Sequence, residues 1–407
     1  MAVVHGLEHF YTVAIPVTFT MLRNELGLTY IQLGFLVSLR GFFGILQPLA
    51  GYLSDRWGAR ILLVFSCLIM SLSFLGLASS SMFIMLLFFQ FIQALGSVAI
   101  HPSSYSLVAK FKSSNMVGRK MALHALGGNL GTIIGLVVIA AISSLLGWRS
   151  TFLLLSLPGI IIVFLLHKTS FFITEASSEI GEGKKEDRKE EKEKESGGIS
   201  PVDASINLFF PLLVLGLAVA FQGMFKRSLS SFLPTFLYTV YGSGVAAAGM
   251  LSALLYVGGI IGLLVGGELA DRVDRVYLIA VTGVIITVFL LVVALVELPE
   301  FLLIIVLIFL GFVQHITSPA KNALTSELSY AGKEGSSFGL IFGLSFVGGA
   351  VASPLAGFLA DIIGMRFAFM YISLVALLMV FTILLLKKWG FGSIEGRSMK
   401  HVSKKTV

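Results

Sequence analysis

Apolar runs recur along this 407-residue chain, each long enough to cross a bilayer core as a helix. Such a crossing takes about 20 mostly apolar residues. Twelve runs qualify, at residues 2–22, 30–53, 60–79, 82–107, 120–146, 150–167, 206–240, 244–269, 276–297, 300–325, 336–360 and 366–387. Most gaps between them are short, so neighbouring helices must run antiparallel. One gap breaks the pattern. Residues 168–205 include GEGKKEDRKEEKEKESGG and hold 7 Lys/Arg and 10 Asp/Glu. A stretch of that composition buries too little apolar surface to fold alone, so it reads as a solvated linker, with room for a lone helix in its charged centre. The expected fold is an all-α membrane protein with twelve transmembrane helices. An N-terminal six-helix bundle covers 1–167, a charged linker 168–205, a C-terminal six-helix bundle 206–387 and a basic tail 388–407.

The halves repeat. GYLSDRWGAR at 51–60 answers GELADRVDR at 267–275, GWRSTFLLL at 147 answers GMRFAFMYI at 364, and Pro102 answers Pro319, at an offset of 216–217 residues. Duplicated six-helix halves related by an axis along the membrane normal place a substrate path near the midplane between them. Carried back by the same offset, the start of span seven falls before Met1. Span one is therefore expected to be short, either truly or through a late start.

Composition agrees with a membrane class. The chain is 56% hydrophobic and 13% charged, against about 45–50% and 25% in soluble domains, and its mean hydropathy is +0.94. The net charge of +7 does not indicate nucleic-acid binding, because the basic residues lie in gaps and in the tail (Lys387, Lys388, Arg397, Lys400, Lys404, Lys405). The gap after span four holds Lys110, Lys112, Arg119 and Lys120, whereas gaps on the other side hold only Arg23, Arg149 and Arg366. Both termini and the linker are accordingly expected in the cytoplasm, with the chain in the cytoplasmic membrane. No cleavable signal peptide is evident. The single cysteine, Cys67, cannot make an internal disulfide. The sequence has no P-loop, zinc spacing or nucleophile motif, so no enzyme and no cofactor is expected, and the work must come from an ion gradient.

Polar residues inside the spans are the candidate chemistry, because charge at membrane depth costs at least about 2.5–3.5 kcal/mol and usually faces a cavity or a partner. Arg40 lies deep in span two, with Gln47 seven residues on and on the same face. It lines a cavity or forms an ion pair within the bundle. In span one His5, Glu8, His9 and Thr12 form one helical stripe. Imidazole titrates near neutrality and Glu8 is the one carboxylate well inside a span, so His5, Glu8 and His9 are candidates for proton coupling, or else interfacial polar residues. Gln90, Gln93, Ser97 and His101 share a face of span four, as a cavity lining or as interhelical hydrogen bonds. Gln222, Lys226 and Arg227 occupy span seven; the two adjacent cations cannot face one point, Lys226 shares a face with Gln222, and the cations either meet the cavity and substrate, pair with Glu8 or snorkel outward. Gln314, His315 and Asn322 in span ten are weaker candidates, Lys321 lies near the cytoplasmic end where it can snorkel, and His124 of span five lies close to the inner face. The glycines Gly127, Gly128, Gly131 and Gly135 fit close helix packing.

With these residues in place, the chain resembles the major facilitator superfamily. The resemblance rests on twelve spans in two sixes, a charged linker and the loop carrying Gly51, Leu53, Asp55, Arg56, Gly58 and Arg60. The resemblance implies a conformational latch at Gly51, Asp55, Arg56, Gly58 and Arg60, with Asp55 near a helix N-terminus or a basic partner. In the second copy Asp271 and Arg272 are kept, while Asp274 stands where glycine is usual. GSVAIHPSSYSLVA at 96–109 and GGNLG at 127–131 are similar to fosmidomycin-resistance-type efflux proteins, which implies export in exchange for protons. Gln90 departs from the arginine usual in span four, and GTIIG lacks the proline usual in span five.

The deep charges Arg40, Lys226 and Arg227 against Glu8 favour an anionic substrate. The expected function is a proton-coupled antiporter exporting small anionic or drug-like compounds by alternating access, as a monomer. The expected substrate contacts are Arg40, Gln47, Gln90, Gln93, His101, Gln222, Lys226, Arg227 and Gln314. The alternatives are a proton-coupled importer of an organic or phosphorylated anion, and a membrane sensor that binds without turnover.

Overall fold

A computed structural model describes residues 1–104, 117–178, 209–329 and 334–389. Within these ranges the side chains of Asp55, 117–122, 125, 167–178, 209, 334–336 and 389 are also outside the description. The expected latch carboxylate Asp55, the Lys110–Lys120 loop, most of the linker and the tail beyond 389 thus fall outside the described residues.

Every described element is helical, and proline and glycine set the interruptions. Span one is two helices, α1 (Ala2–Thr12) and α2 (Ala14–Leu26), divided at Val13. Pro16 has no N–H to give the Thr12 carbonyl, so the ladder breaks one turn before it. Span two starts at α3 (Tyr30–Phe43), where Thr29 and Gln32 form a capping box. It tightens to a 3-10 turn at Gly44–Leu46 and resumes as α4 (Gln47–Trp57), with Pro48 in the first turn. Then come α5 (Ala59–Ser79) and α6 (Phe83–Ser97). A turn at Val98 and Ala99 precedes Pro102, and helix resumes over 100–104. The sixty-two residues of α7 (Val117–Ser178) hold two spans separated at Gly147, whose φ of 77° no helix tolerates. This helix continues past the expected linker boundary at 167. The second half contains α8 (Phe209–Val240), α9 (Val245–Arg272), α10 (Arg275–Leu295), α11 (Glu300–Glu327), α12 (Glu334–Ile362) and α13 (Met365–Leu384).

Ten described helical stretches are long and apolar enough to cross a membrane. Counting α7 twice and joining α1 to α2 gives the twelve expected spans. Large apolar side chains such as Leu145 and Leu264 point outward, 82% and 73% exposed, as on a lipid-facing surface.

The repeated sequence landmarks have structural causes. Gly147 and Gly364 both take positive φ, at 77° and 98°, and each starts a GxR turn. The arginine of each turn caps the end of a neighbouring helix. Arg149 donates to the carbonyls of Ala78 and Ser80 at 3.1 and 2.7 Å, and Arg366 to that of Ala294 at 3.0 Å. Cations at helix C-termini also meet the negative end of the dipole. Each arginine has an acidic partner, Glu25 for Arg149 and Glu297 for Arg366. The irregular second-copy residue Asp274 is the N-cap of α10, accepting from Val276 and Tyr277 N–H at 2.9 and 3.1 Å, and it pairs with Lys387.

The halves meet along α3 with α12, α7 with α9, and α2 with α8. The α3–α12 contact depends on missing side chains. A Cβ at Gly34 would strike the Ser353 and Pro354 backbone, one at Gly41 would strike Ala350, and one at Gly357 would strike the Tyr30 carbonyl. Ser38 donates to the Ala350 carbonyl at 2.6 Å. At one end of this seam Asp361 of α12 accepts from the N–H groups of Tyr30 and Ile31, both at 2.9 Å, and pairs with Arg23 at 3.3 Å. A carboxylate from one half thus caps the first turn of a helix in the other.

Replacing an N-cap acceptor typically costs about 0.5–2 kcal/mol. Asp361→Ala is therefore expected to loosen this end. Phe232 of α8 is buried with its ring 6.5 Å from that of Tyr30, so in a Cys67→Ser background a Phe232→Cys variant should react with a maleimide several-fold faster once Asp361 is removed. An unchanged labelling rate would mean that the cap does not hold the end closed.

Candidate functional site

The polar stripe of span one faces α7 because α7 has no side chains there. A Cβ at Gly127 would strike the Ala2 carbonyl and one at Gly131 the Gly6 backbone. One at Gly128 would sit 2.7 Å from the His5 ring and 3.1 Å from the His9 ring. The glycine set therefore does pack helices, and what it packs is the histidine-bearing face of α1.

Four histidines and one carboxylate converge there. The His5 ring stacks on His124 at 4.1 Å between centroids and lies 4.6 Å from His9 and 5.1 Å from His101. Hydrogen-bond arithmetic sets two tautomers. His5 Nδ1 lies 2.8 Å from the His124 carbonyl, which can only accept, so that nitrogen carries the proton. His9 Nδ1 lies 3.1 Å from the Thr132 hydroxyl, whose own proton goes to the Gly128 carbonyl. The hydroxyl oxygen therefore accepts from His9, and His9 Nε2 is left facing Glu8 at 3.6 Å. His101 Nε2 lies 4.0 Å from the same carboxylate oxygen.

The other oxygen of Glu8 is taken by Arg40. The two form a buried ion pair between α1 and α3, and Arg40 also donates to the Thr12 hydroxyl. Both residues are less than a tenth exposed. Arg40 therefore sits in an ion pair within the bundle and also lines a cavity. The cavity is about 140 Å³ and lies between the halves. The N-terminal half contributes His9, Thr12, Arg40, Gln90 and Thr132, and the C-terminal half Arg227, Ser230, Ser231 and Tyr256. Arg40 and Arg227 thus line the same cavity from opposite halves. Among the described residues no ion pair or hydrogen bond is formed by the Arg227 side chain.

Other expected site residues are placed differently. Gln47 lies beyond the 3-10 turn, outside the cavity lining. Gln93 is buried behind the lining, and neither of its amide atoms has a partner among the described residues. Gln222 donates to the Thr317 hydroxyl at 2.8 Å, tying α8 to α11, and Gln314 is buried near that bond. Lys226 lies on α8 beside Arg227 but outside the cavity lining. Of the latch residues, Arg60 donates to the Leu166 carbonyl and Gly58 adopts φ 93° between α4 and α5. Arg56 is exposed and Gly51 has room for a Cβ near Pro102. Arg272 pairs with Glu268 at 2.6 Å and Asp271 with Arg275 at 3.9 Å, both within their own half.

Sequence reasoning passed over Thr132, Ser230, Ser231 and Tyr256. Ser230 and Ser231 follow Arg227 by one helical turn, and Tyr256 is a lone tyrosine in an apolar, glycine-rich span. Both are usable, if weak, signals.

The model of the Major Facilitator Superfamily matches residues 1–342 and again 215–393. Over 94% of its length the chain is 24% identical to the fosmidomycin resistance protein of Escherichia coli (strain K12), covering 90% of that protein. It is 24% identical over 96% of its length to an MFS-type transporter, YfnC, of Bacillus subtilis (strain 168), covering 93% of it. Among solved structures, an inward-facing, occupied bacterial homolog of the human lysosomal transporter Spinster superposes with a TM-score of 0.77 at 15% identity, covering 95% of both chains. A D-xylose–proton symporter superposes with a TM-score of 0.72 at 15% identity, over 94% of this chain and 95% of that one.

Removing one member of a buried ion pair strands the other, typically at a cost of about 3–5 kcal/mol, whereas removing both is far milder. Arg40→Met alone should thus lower the melting temperature of the purified protein markedly. Arg40→Met combined with Glu8→Gln should recover most of the loss. A double variant no more stable than the single one would mean that the pair does not carry the predicted coupling.

Proposed function

The chain belongs to the Major Facilitator Superfamily, and as a secondary transporter working by alternating access we propose that it carries a small organic anion together with a proton. The observation that carries this reading is the placement of Arg227. A guanidinium without a counter-charge faces a small cavity whose opposite wall holds Arg40, so an anion entering the cavity meets two cations. Arginine suits phosphonate, phosphate or carboxylate, which it binds through paired N–H groups. Ser231 and Tyr256 supply further hydroxyls around it, while those of Thr12, Thr132 and Ser230 donate to main-chain carbonyls.

The sign of the coupling follows from the contacts of Glu8. While ionised, Glu8 occupies Arg40 and competes with the substrate for it. A proton on Glu8 removes that competition and releases Arg40 to the anion. Proton and anion then bind cooperatively, which favours their movement in the same direction. Exchange requires the reverse, a proton and a substrate that exclude each other. The geometry therefore favours the importer over the exporter that the fosmidomycin-resistance resemblance implies. The E. coli relative's name supports the exporter. His101, partly exposed beside Glu8, and the His5–His9 pair give the proton a route to the carboxylate. With both termini in the cytoplasm of a cell whose cytoplasmic membrane holds the chain as a monomer, the Asp361 cap closes the outer end of the path. A latch at Gly51, Asp55, Arg56, Gly58 and Arg60, echoed by Asp271 and Arg272, would act at the inner end.

The test is transport in proteoliposomes against a panel of small phosphonates and carboxylates. Cotransport predicts that an inward proton gradient drives accumulation of one of these anions. Glu8→Gln should keep anion counterflow but lose gradient-driven accumulation, and Arg40→Ala should lose both. Expulsion of the anion by the same gradient would establish exchange instead. Binding without counterflow would indicate a sensor.

A further inference from the structure

The cavity between the halves changes character along its length. Arg40, His9 and Thr132 on one wall and Arg227 on the other mark its charged end. From there the lining residues of three helical stretches lead the same way. Span one passes from His9 to Val13 and Pro16, a rise of about 10 Å. The α3 helix runs antiparallel to it, so Val37, one turn before Arg40, lies on the same side as Pro16. On α8, Ser230 and Ser231 come one turn beyond Arg227. Two ring contacts fix this common direction. The Phe232 ring of α8 lies 5.4 Å from that of Phe19 in α2 and 6.5 Å from that of Tyr30 at the start of α3. The three rings are less than a tenth exposed, and they stand between this end of the cavity and the Asp361 cap on Tyr30.

The far end is apolar. Val13, Pro16 and Val37 are buried there and offer no polar side-chain atom. Opposite them the Ser230 hydroxyl donates to the Arg227 carbonyl at 3.1 Å, which leaves Ser231 as the hydroxyl of that wall. A charge or hydroxyl carried in among them would give up water for a wall that returns few hydrogen bonds. A methylene placed there instead strengthens binding about four-fold. Length is bounded as well, by the buried rings beyond and by a volume of about 140 Å³. A cavity of ~150 Å³ takes a guest the size of benzene, so with an acid group at the arginines about three carbons remain.

We infer that the substrate is a small amphipathic acid held head to tail, with its single acid group at Arg40 and Arg227 and a tail of about three carbons against Val13, Pro16 and Val37. The inference rests on the anion-transport reading above and narrows its substrate class. Inorganic anions would leave the apolar end without a partner, and diacids or polyols would carry polar groups into it.

The experiment measures binding calorimetrically on the full chain in detergent. The probes are methyl-, ethyl-, propyl-, butyl- and hexylphosphonate and the carboxylates with the same tails. The polar controls are 2-hydroxyethylphosphonate and 3-hydroxypropionate, in which a hydroxyl replaces the terminal methyl of propylphosphonate and butyrate. Wild-type affinity should rise about four-fold per methylene up to propyl or butyl and fall by hexyl. Each propyl probe should bind about ten-fold or more tightly than its hydroxyl counterpart. Val37→Ala enlarges the apolar end and should move the optimum towards hexyl. Val37→Thr keeps the shape, adds a hydroxyl and should narrow the propyl-to-hydroxyl ratio to within about three-fold. Melting curves identify a variant that fails to fold, and the wild-type series then decides. Affinity indifferent to tail length, or equal for the hydroxyl controls, overturns the apolar end and leaves the anion reading standing. An affinity still climbing at hexyl does the same, because a closed end cannot take that tail. Folded Val37 variants that leave both optimum and ratio unchanged also overturn the placement of the tail. Binding of none of these acids overturns both readings.

Discussion

The ion pair between Glu8 and Arg40 is the contact on which the rest of the interior depends. It joins the first two spans, places a guanidinium against the central cavity and directs the second carboxylate oxygen at two imidazoles. Neither partner is affordable alone at that depth, since an uncompensated charge in low dielectric must find a counter-charge or give up its ionisation. The surroundings support this one geometry. Thr12 satisfies a second N–H of Arg40, and Thr132 holds His9 by the nitrogen away from the carboxylate. The glycines of α7 allow the whole cluster to sit against a second helix.

The two halves share more than sequence landmarks. Each turns at a glycine with positive φ and then uses an arginine to close the carbonyl end of a neighbouring helix. Each also presents small residues to the opposite half, through Gly34 and Gly41 on one seam and Gly249 against Leu136 and Ala140 on the other. The chemistry is not shared. The N-terminal half holds the carboxylate and the histidine cluster, and the C-terminal half supplies Arg227, Lys226 and Lys321. Under the proposed function the duplicated frame carries two different jobs, proton handling on one side and anion recognition on the other.

Much of this frame was legible in the sequence. Length and hydropathy of the runs predict the spans, because an apolar helix of that length has few other stable settings. The 216–217 offset predicts the pairing of the halves. Arg40 stands out because arginine is costly in an apolar run, and the α1 stripe stands out because its spacing is helical. The pairing of Arg40 with Glu8 was not legible, because it depends on how α1 and α3 cross. Tyr256, Ser230 and Ser231 escaped notice because such residues are common in spans without lining anything. The break at Val13 could have been inferred from Pro16, yet hydropathy alone reads straight through it. Asp274 looked like a fault in the repeat and is a cap, since a short acidic side chain can end one helix contact and begin another.

The Asp361 seal is written in the main chain of its partner. Its carboxylate meets two peptide N–H groups, so what it recognises is the position of the α3 terminus and not the identity of Tyr30 or Ile31. Those two side chains are thus free to drift in related sequences without opening the seam, so long as the helix begins at the same point. An insertion or deletion of a single residue in the short connection before Tyr30 would shift that point and break the contact outright. Among descendants of this chain, connection length at that end should be held more tightly than any residue within it.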